Sequence, residues 1–318
     1  MGGFALVLLL AGFATRGYRQ KQKANKALEE KNATIEKQKE EVTQKNIEIT
    51  KSIEYALRIQ TAILPPQKII KQNFENSFVL YQPKDIVAGD FYWMETIQCD
   101  DVPMNQLDNE ENSNTLNALA HQLILFAACD CTGHGVPGAL VSVVCHNALN
   151  RAVREFGLRK PADILDKTNE IVKENFSKSE EEIKDGMDIS LCNYNPQTKI
   201  LQWAGANNAL WLLINGEITE IKADKQPIGR YEGNQPFTNY EFKLNAGDSI
   251  YIFSDGYADQ FGGDTGHKKL TKKRFRDLIL SIQSSSMKEQ GEELSKFMHS
   301  YMGSNQQIDD ILVVGVQV

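Results

Sequence analysis

The sequence lacks the short motifs and the cysteine pattern that would assign it to several common protein classes. Its five cysteines are odd in number and do not have the spacing of a small disulfide framework, so a reducing cytosol is favoured over secretion. No Gly-x-x-x-x-Gly-Lys-Ser/Thr loop is present, which leaves a P-loop nucleotide site unsupported. Gly-x-Ser-x-Gly is also absent, so serine-based hydrolysis is unsupported.

Long apolar runs are absent as well. The run from Phe4 to Ala14 is shorter than the roughly 20 residues that cross a bilayer, and no charge precedes it as in a signal peptide. The basic residues that follow, from Arg16 to Lys26, favour the cytoplasmic side for the rest of the chain. We therefore predict that residues 1–16 are a partial transmembrane segment, a single-pass remnant in the inner (cytoplasmic) membrane. A weak interfacial anchor is the alternative.

The main body of the chain has no excess of positive charge. The net charge is −7, and residues 15–65 carry 11 Lys/Arg and 7 Asp/Glu, which leaves 24 basic and 35 acidic residues elsewhere. An acidic body argues against a nucleic-acid surface there. The 41% hydrophobic composition is sufficient for a sizeable core.

A heptad repeat is present between Asn25 and Ile63. Polar residues recur at the a positions, which is typical of a parallel two-stranded coiled coil with a fixed register. A single solvated helix is the alternative. Pro65 and Pro66 end the helix, so residues 17–66 are predicted to be a coiled-coil signalling linker and residues 25–63 to pair in a parallel homodimer. The apolar d positions are Leu28, Ile35, Val42, Ile49, Ala56 and Ile63.

The remainder, residues 67–318, has the pattern of one α+β domain. Strands, two helices, many antiparallel strands, two helices and a closing strand follow one another, and Asn215-Gly216 between apolar runs predicts a hairpin. The apolar faces of such antiparallel sheets must be buried against other elements. This predicts two sheets packed on each other, with helices on their outer faces. The polar stretch from Cys99 to Ala120 is predicted to be a variable loop without chemistry.

Acidic residues recur where strands end. The stretch from Asp130 to Gly138 joins a buried strand to a helix, and similar aspartates are Asp90, Asp255 and the pair Asp309-Asp310. Ordinary turn chemistry also explains a lone aspartate before glycine. Several such residues on one edge of a sheet assembly would instead repel unless Mg²⁺ or Mn²⁺ neutralised them. Two such ions can lower the pKa of a shared water and polarise a phosphoryl oxygen.

Two further patterns allow more than one interpretation. Cys129, Cys131 and His134 have a spacing that allows zinc, but no second Cys/His cluster completes four ligands, so core or near-site thiols are the other interpretation. Asp188, in the run from Gly186 to Ser190, is either near the site or an ordinary residue at the start of a strand.

Six short motifs follow one another along the chain: GDFY from Gly89, DCTGHGVPGA from Asp130, GANN from Gly205, QPIG from Gln226, SDG from Ser254 and DDI from Asp309. In this order they resemble the SpoIIE/RsbU-type branch of the metal-dependent protein phosphatases. The resemblance covers about residues 75–318 and implies a four-layer α-β-β-α sandwich of two packed antiparallel sheets. It also implies hydrolysis of phosphoserine or phosphothreonine in proteins, such as the anti-sigma antagonists of bacterial partner-switching pathways.

The resemblance assigns roles to residues of this chain. Asp130 would bridge two Mn²⁺ or Mg²⁺ ions, the carbonyl of Cys131 would ligate one of them, and Asp310 would support the ligands from behind. His134 would be a proton donor to the leaving alkoxide or a structural turn residue, and Lys84 would contact phosphate or be an ordinary solvated lysine. The remaining ligands would be Asp255 and Asp309 on one ion and Asp90 on the other, directly or through water.

We therefore predict a membrane-tethered, signal-regulated phosphoserine/phosphothreonine protein phosphatase that uses two divalent cations. Its partners would be a phosphoprotein substrate and an upstream sensor region missing from this chain, with no nucleic acid. A catalytically inactive pseudophosphatase scaffold and a small-molecule phosphatase are the alternatives.

Overall fold

The computed structural model describes residues 2–98, 122–178, 184–229, 231, 233–263 and 266–318. The variable loop predicted for Cys99–Ala120 lies outside the described residues. Contacts divide the chain into two units, Met1–Tyr55 and Ala56–Val318.

The first helix, α1, runs without interruption from Gly2 to Ile63 and ends just before Pro65 and Pro66, as predicted. None of the described helices is both long enough and apolar enough to span a membrane. The predicted single-pass remnant at residues 1–16, and with it the assignment to the cytoplasmic membrane, is therefore wrong. The physical reason is length: the apolar run from Phe4 to Ala14 rises only about 16 Å as a helix, against a hydrocarbon core of about 30 Å.

Two antiparallel sheets form the centre of the second unit. The first sheet has the strand order β1-β13-β10-β6-β7, and the second has the order β2-β3-β4-β5-β9, with β8 paired to β4. A separate two-stranded sheet joins β11 and β12. The strands are β1 (Ser77–Gln82), β2 (Phe91–Gln98), β3 (Gln122–Cys131), β4 (Gly186–Asn195), β5 (Ile200–Ala206), β6 (Leu210–Ile214), β7 (Glu217–Ile221), β8 (Ile228–Gly229), β9 (Tyr240–Lys243), β10 (Ser249–Phe253), β11 (Phe261–Gly262), β12 (Lys268–Lys269) and β13 (Ile311–Gln317).

Helices cover the outer faces of both sheets. The helices are α2 (Gln67–Asn73), α3 (Gly135–Arg154), α4 (Pro161–Ser177), α5 (Gly256–Asp259), α6 (Lys272–Ile282) and α7 (Met287–Met302). α3 and α4 pack on the second sheet, and α6 and α7 pack on the first. The predicted four-layer α-β-β-α sandwich is confirmed.

The alternation of side chains along each strand explains the three apolar layers. In β3, Leu125 and Ala127 face α3 and α4, while Ile124 and Phe126 face the other sheet. In β10, Ile250 faces the second sheet and its neighbour Tyr251 faces α6 and α7. Successive side chains of a strand point to opposite faces, so a strand that is apolar throughout contributes to two layers at once. This is why β3 and β10 are continuous apolar runs, whereas the edge strand β7 alternates between apolar and polar residues.

Candidate metal centre

Four aspartates from distant parts of the chain, Asp130, Asp188, Asp255 and Asp309, line one cavity of about 240 Å³. Asp130 is the penultimate residue of β3. Asp255 follows β10 and precedes α5, and Asp309 stands shortly before β13. The strands β10 and β13 are hydrogen-bonded neighbours in the first sheet, whereas β3 belongs to the second. The cavity therefore opens where the ends of the two sheets meet, and Cys131 and His134 also line it.

Asp90 lies behind these residues rather than in the cavity lining. It is 2% exposed, and its Oδ2 atom has no hydrogen-bond partner among the described residues. Burial, followed by the charge of the neighbouring Asp130, raises the pKa of Asp90 well above its ordinary value. A buried carboxylate oxygen without a partner is costly unless a cation or a proton neutralises it.

The same repulsion acts on the other carboxylates. Burial first, and then the charge of Asp255, raises the pKa of Asp130 well above its ordinary value. Burial also raises the pKa values of Asp255, Asp188 and Asp310. No three Asp, Glu, His or Cys side chains within the described ranges are already close enough to hold a metal ion. The donors are nevertheless all oxygens with an unsatisfied carboxylate among them, and this set fits a hard divalent cation such as Mg²⁺ or Mn²⁺.

Asp310 fixes the loop that carries Asp90. Its carboxylate accepts hydrogen bonds from the backbone N–H groups of Lys84 (2.7 Å), Gly89 (2.7 Å) and Asp90 (3.4 Å). Asp310 does not line the cavity, and its three backbone bonds tie the loop after β1 to the start of β13. Asp310 therefore lies behind the aspartates that line the cavity and holds the loop of Asp90 in place.

Glycines let two loops approach each other closely at this point. A Cβ atom on Gly89 would lie 2.3 Å from the carbonyl oxygen of Gly133, and one on Gly138 would lie 2.2 Å from the same oxygen. Gly133 itself has φ of +81°, which the tight turn after Asp130 requires. The backbone around Asp130 is therefore held against the backbone around Asp90.

His134 is part of a three-residue contact at the rim of the cavity. Its Nδ1 lies 2.7 Å from Oδ2 of Asp85, and its Nε2 lies 3.0 Å from Nζ of Lys84. A lysine ammonium has only donors, so Nε2 accepts from Lys84 and the ring carries its proton on Nδ1, where it donates to Asp85. Asp85 was missed in the sequence, because nothing local distinguishes it from other loop aspartates.

Asp188 lies directly across the strand ladder from Asp130. The two residues are paired in the register between β3 and β4, and Asp188 also lines the cavity. Its Oδ1 accepts a hydrogen bond of 2.8 Å from Nδ2 of Asn207. Of the two interpretations of Asp188, the one that brings it near the site agrees with the structure.

The zinc interpretation of Cys129, Cys131 and His134 finds no support. Both cysteines are buried in the core between the second sheet and its helices, and burial raises the pKa values of their thiols well above the ordinary value. His134 instead contacts Asp85 and Lys84, and its side chain is about half exposed. The cysteines therefore belong to the core, with Cys131 also touching the cavity.

Comparisons with known proteins identify the same fold. The SiaA-PP2C domain of Pseudomonas aeruginosa is 29% identical with a TM-score of 0.70, and the match covers 86% of this chain and 98% of that one. The PP2C phosphatase domain of SpoIIE from Bacillus subtilis, with a fragment of its regulatory domain, is 16% identical with a TM-score of 0.55, over 76% and 61% of the two chains. The RsbU and RsbW domains of Rv1364c from Mycobacterium tuberculosis are 17% identical with a TM-score of 0.53, over 76% and 59%.

A search of curated proteins found no match. The family model of Stage II sporulation protein E (SpoIIE), however, matches residues 121–318, which is more than half of the chain and includes the aspartates of β3, β10 and β13. The resemblance found in the motifs is thereby confirmed, and the chain belongs to the SpoIIE family, on the SpoIIE/RsbU branch of the metal-dependent protein phosphatases.

Proposed function

We propose that this protein is a metal-dependent phosphatase that hydrolyses phosphoserine or phosphothreonine in proteins. The observation that carries the proposal is the convergence of Asp130, Asp255 and Asp309 on one cavity, with the buried Asp90 behind them. Three strand ends in two sheets contribute these residues, so local turn chemistry does not account for the cluster. Membership of the SpoIIE family supports the same reaction class.

The residues proposed to hold two Mn²⁺ or Mg²⁺ ions are Asp90, Asp130, Asp255, Asp309 and the carbonyl group of Cys131. Bound divalent cations of this kind supply an activated water and positive charge opposite the phosphoryl oxygens. The partnerless Oδ2 of Asp90 and the raised pKa values of Asp90 and Asp130 support a cation at this position. Asp310 contributes by holding the loop of Asp90 in place.

We assign proton transfer to His134, positioned by Asp85, and phosphate contact to Lys84. In the resting arrangement Lys84 donates to Nε2 of His134, so that nitrogen is not available as an acid. When Lys84 turns to a phosphate oxygen, Nε2 is free to take up a proton from solvent and to donate it to the leaving alkoxide oxygen as the bond between that oxygen and phosphorus breaks. Asp85 at Nδ1 stabilises the protonated ring during this step.

The substrate we propose is a phosphorylated protein of the anti-sigma antagonist type, as the resemblance to the SpoIIE/RsbU branch implies. We further propose that α1 transmits a regulatory signal and pairs with a second copy of this chain. The exposed apolar residues of α1 support pairing, because Leu28, Ile35, Val42 and Ile49 are each 57% exposed.

Phosphate release from a phosphoserine peptide and from a phosphorylated protein, measured with Mn²⁺, tests the proposed reaction. We expect Asp255→Asn to lower kcat by more than about 100-fold, because it removes a charged ligand. Asp277→Asn is the matched control, because Asp277 is exposed on α6 and outside the cavity. A wild-type protein that binds Mn²⁺ but releases no phosphate would be a pseudophosphatase. Faster hydrolysis of small phosphate esters than of phosphoproteins would indicate a small-molecule phosphatase instead.

The same assay tests the role of His134. We expect His134→Gln to lower kcat about 100-fold and Asp85→Asn about 10-fold, with Mn²⁺ affinity unchanged in both. If Asp85 acts through His134, the double variant should be no slower than His134→Gln alone. Additive losses in the double variant would rule out that coupling.

A further inference from the structure

The start of α6 carries a concentrated positive charge in an otherwise acidic domain. Residues 266–276 contain six Lys/Arg and no Asp/Glu, whereas residues 66–318 as a whole contain 24 Lys/Arg and 35 Asp/Glu. A quarter of the basic residues after α1 therefore lie within eleven positions. The six are Lys268, Lys269, Lys272, Lys273, Arg274 and Arg276.

Three of these six cations have partners within the domain. Lys269 forms an ion pair of 2.7 Å with Asp259, Arg276 pairs with Glu220, and the guanidinium of Arg274 lies 4.9 Å from the ring centre of Tyr301. The remaining three, Lys268, Lys272 and Lys273, are exposed, and none of them forms an ion pair with any described residue. We call these three residues the α6 basic surface.

The α6 basic surface adjoins the cavity of the metal centre. The backbone N–H of Thr271 donates to the carbonyl of Ala258 (2.7 Å), and that of Leu270 donates to Gln260 (2.9 Å). Ala258 lies in α5, the short helix that begins directly after Asp255. Burial raises the pKa of Asp255, and the nearby Lys272 ammonium partly opposes this rise. The surface thus lies beside Asp255, one of the aspartates that line the cavity.

The segment is firmly packed, so the backbone that carries these lysines is held in a fixed place. The ring of Phe275 lies 4.4 Å from that of Tyr257 in α5 and 5.1 Å from that of Phe253 in β10. Both Phe275 and Ile279 are fully buried beneath the exposed lysines. Because this segment is already ordered, less conformational entropy is lost when a partner binds to it.

We propose that the α6 basic surface is a docking site for acidic residues that flank the phosphorylated residue of a protein substrate. This inference rests on the proposed function and narrows its substrate class. The cavity is lined by aspartates in an acidic domain, and such a domain repels a phosphorylated, acidic polypeptide unless cations beside the cavity offset the repulsion. The α6 basic surface supplies those cations on the Asp255 side, while Lys84 stands near His134 at the rim.

The test compares two phosphoserine peptides that differ only in their flanking residues, one acidic and one neutral, with Mn²⁺ present. For the wild-type protein we expect a lower KM for the acidic peptide, and this preference should weaken as salt rises from 50 to 500 mM. In the Lys268→Glu/Lys273→Glu variant, KM for the acidic peptide should rise about tenfold, with less than a twofold change for the neutral peptide. Hydrolysis of a small aryl phosphate should be unchanged, because neither lysine lines the cavity.

The control is a second double reversal, Lys68→Glu/Lys288→Glu, which makes the same change in net charge. Lys288 is at the far end of α7 from Tyr301, about 20 Å along the helix, and Lys68 is exposed on α2. We expect this variant to keep the wild-type preference for the acidic peptide. Lys268→Gln/Lys273→Gln is a milder version that should weaken the preference in the same direction.

Different outcomes separate the docking surface from the reaction itself. A wild-type protein that hydrolyses both peptides with the same KM overturns the docking surface but leaves the phosphatase intact. A wild-type protein inactive on both peptides and on the aryl phosphate overturns the proposed function. Binding to anionic lipid vesicles or to an oligonucleotide that is lost in Lys268→Glu/Lys273→Glu, without any peptide preference, overturns the proposal by assigning the surface to another partner.

Discussion

The buried carboxylates of the candidate metal centre affect the stability of the fold. Asp90 is buried with an unpartnered Oδ2, and the pKa values of Asp90 and Asp130 are both raised, first by burial and then by neighbouring negative charge. In the metal-free protein these groups favour the protonated state. The folded protein therefore retains protons that the unfolded chain releases near pH 4.

We predict that the metal-free protein loses stability as the pH rises. A carboxyl with a raised pKa in the folded state contributes fully below its unfolded pKa, and this contribution is lost as the pH rises through the folded pKa. In EDTA, this effect should therefore lower the Tm of thermal unfolding as the pH rises from 5 to 8. Mn²⁺ should raise Tm more at pH 8 than at pH 5, because it binds the deprotonated carboxylates.

Asp90→Asn isolates this effect from other titrating groups. Burial lowers the pKa of His146, whose contribution to stability has the opposite dependence on pH, so the informative comparison is between variants rather than between pH values. We expect Asp90→Asn to be more stable than the wild type in EDTA at pH 8 and nearly equal at pH 5, and to gain less from Mn²⁺. An unchanged pH dependence in Asp90→Asn would contradict the repulsion argument.

Individual site residues were predictable from the sequence when their chemistry coincided with a local pattern. Asp130 and Asp255 lie at or just after the end of an apolar strand and precede glycine within a few residues, which is a visible signal. Asp85 has no such signal, since its partner His134 is brought to it only by the packing of one loop on another. Nor did the sequence indicate that Lys84 contacts His134, because the two residues are 50 positions apart and nothing near Lys84 in the sequence distinguishes it from an ordinary exposed lysine.

At the scale of elements, the end of α1 is connected directly to the loop of Asp90. Gln60 is 3% exposed, and its amide both donates to the carbonyl of Ala88 (2.6 Å) and accepts from the N–H of Ala88 (3.1 Å). The same Nε2 lies 3.1 Å from Oγ of Ser142 in α3. One side chain thus joins α1, the loop that leads to Asp90, and the helix that follows the turn of His134.

We predict that Gln60→Ala weakens Mn²⁺ binding as well as stability. The substitution leaves the buried N–H and C=O of Ala88 without partners, which costs about 1–3 kcal/mol in the free energy of unfolding. Because Ala88 is two residues before Asp90, we also expect Mn²⁺ affinity to fall several-fold by isothermal titration calorimetry. Gln44→Ala, an exposed glutamine on the same helix, is the control and should change neither quantity. Lost stability with unchanged Mn²⁺ affinity would mean that Gln60 is structural only.

Element prediction succeeded for long patterns and failed for short ones. The hairpin between β6 and β7 at Asn215-Gly216 and the helices α3 and α4 followed from turn residues and periodicity. The two-residue strands β8, β11 and β12 have no detectable period, because their pairing depends on distant neighbours such as the contact of Met187 with Ile228. Gln60, which lies within the heptad repeat predicted to pair over residues 25–63, is instead buried against Ala88 and Ser142.

For the whole molecule, the order of elements was enough to predict the layered fold, because two apolar sheets must each be covered on both faces. The relation between the sheets was less predictable: the cavity forms only where the end of β3 meets the ends of β10 and β13. The short apolar run at the N-terminus was misinterpreted as part of a membrane span. Its composition resembles that of a membrane span, but the run is too short to be one.

The final prediction concerns the assembly of the chain. Leu28, Ile35, Val42 and Ile49 form a stripe along α1 with each side chain 57% exposed, and a helix that exposes such a stripe is stabilised when it pairs with another. Because Gln60 is hydrogen-bonded to Ala88 of its own chain, the surface of α1 that pairs with a second copy should end before Gln60. We predict a dimer by sedimentation equilibrium at micromolar concentration and a monomer for Ile35→Lys/Val42→Lys. Ala33→Lys/Gln44→Lys adds the same charge off the stripe and should remain dimeric; a monomeric wild type, or equal behaviour of the two variants, would refute pairing through this stripe.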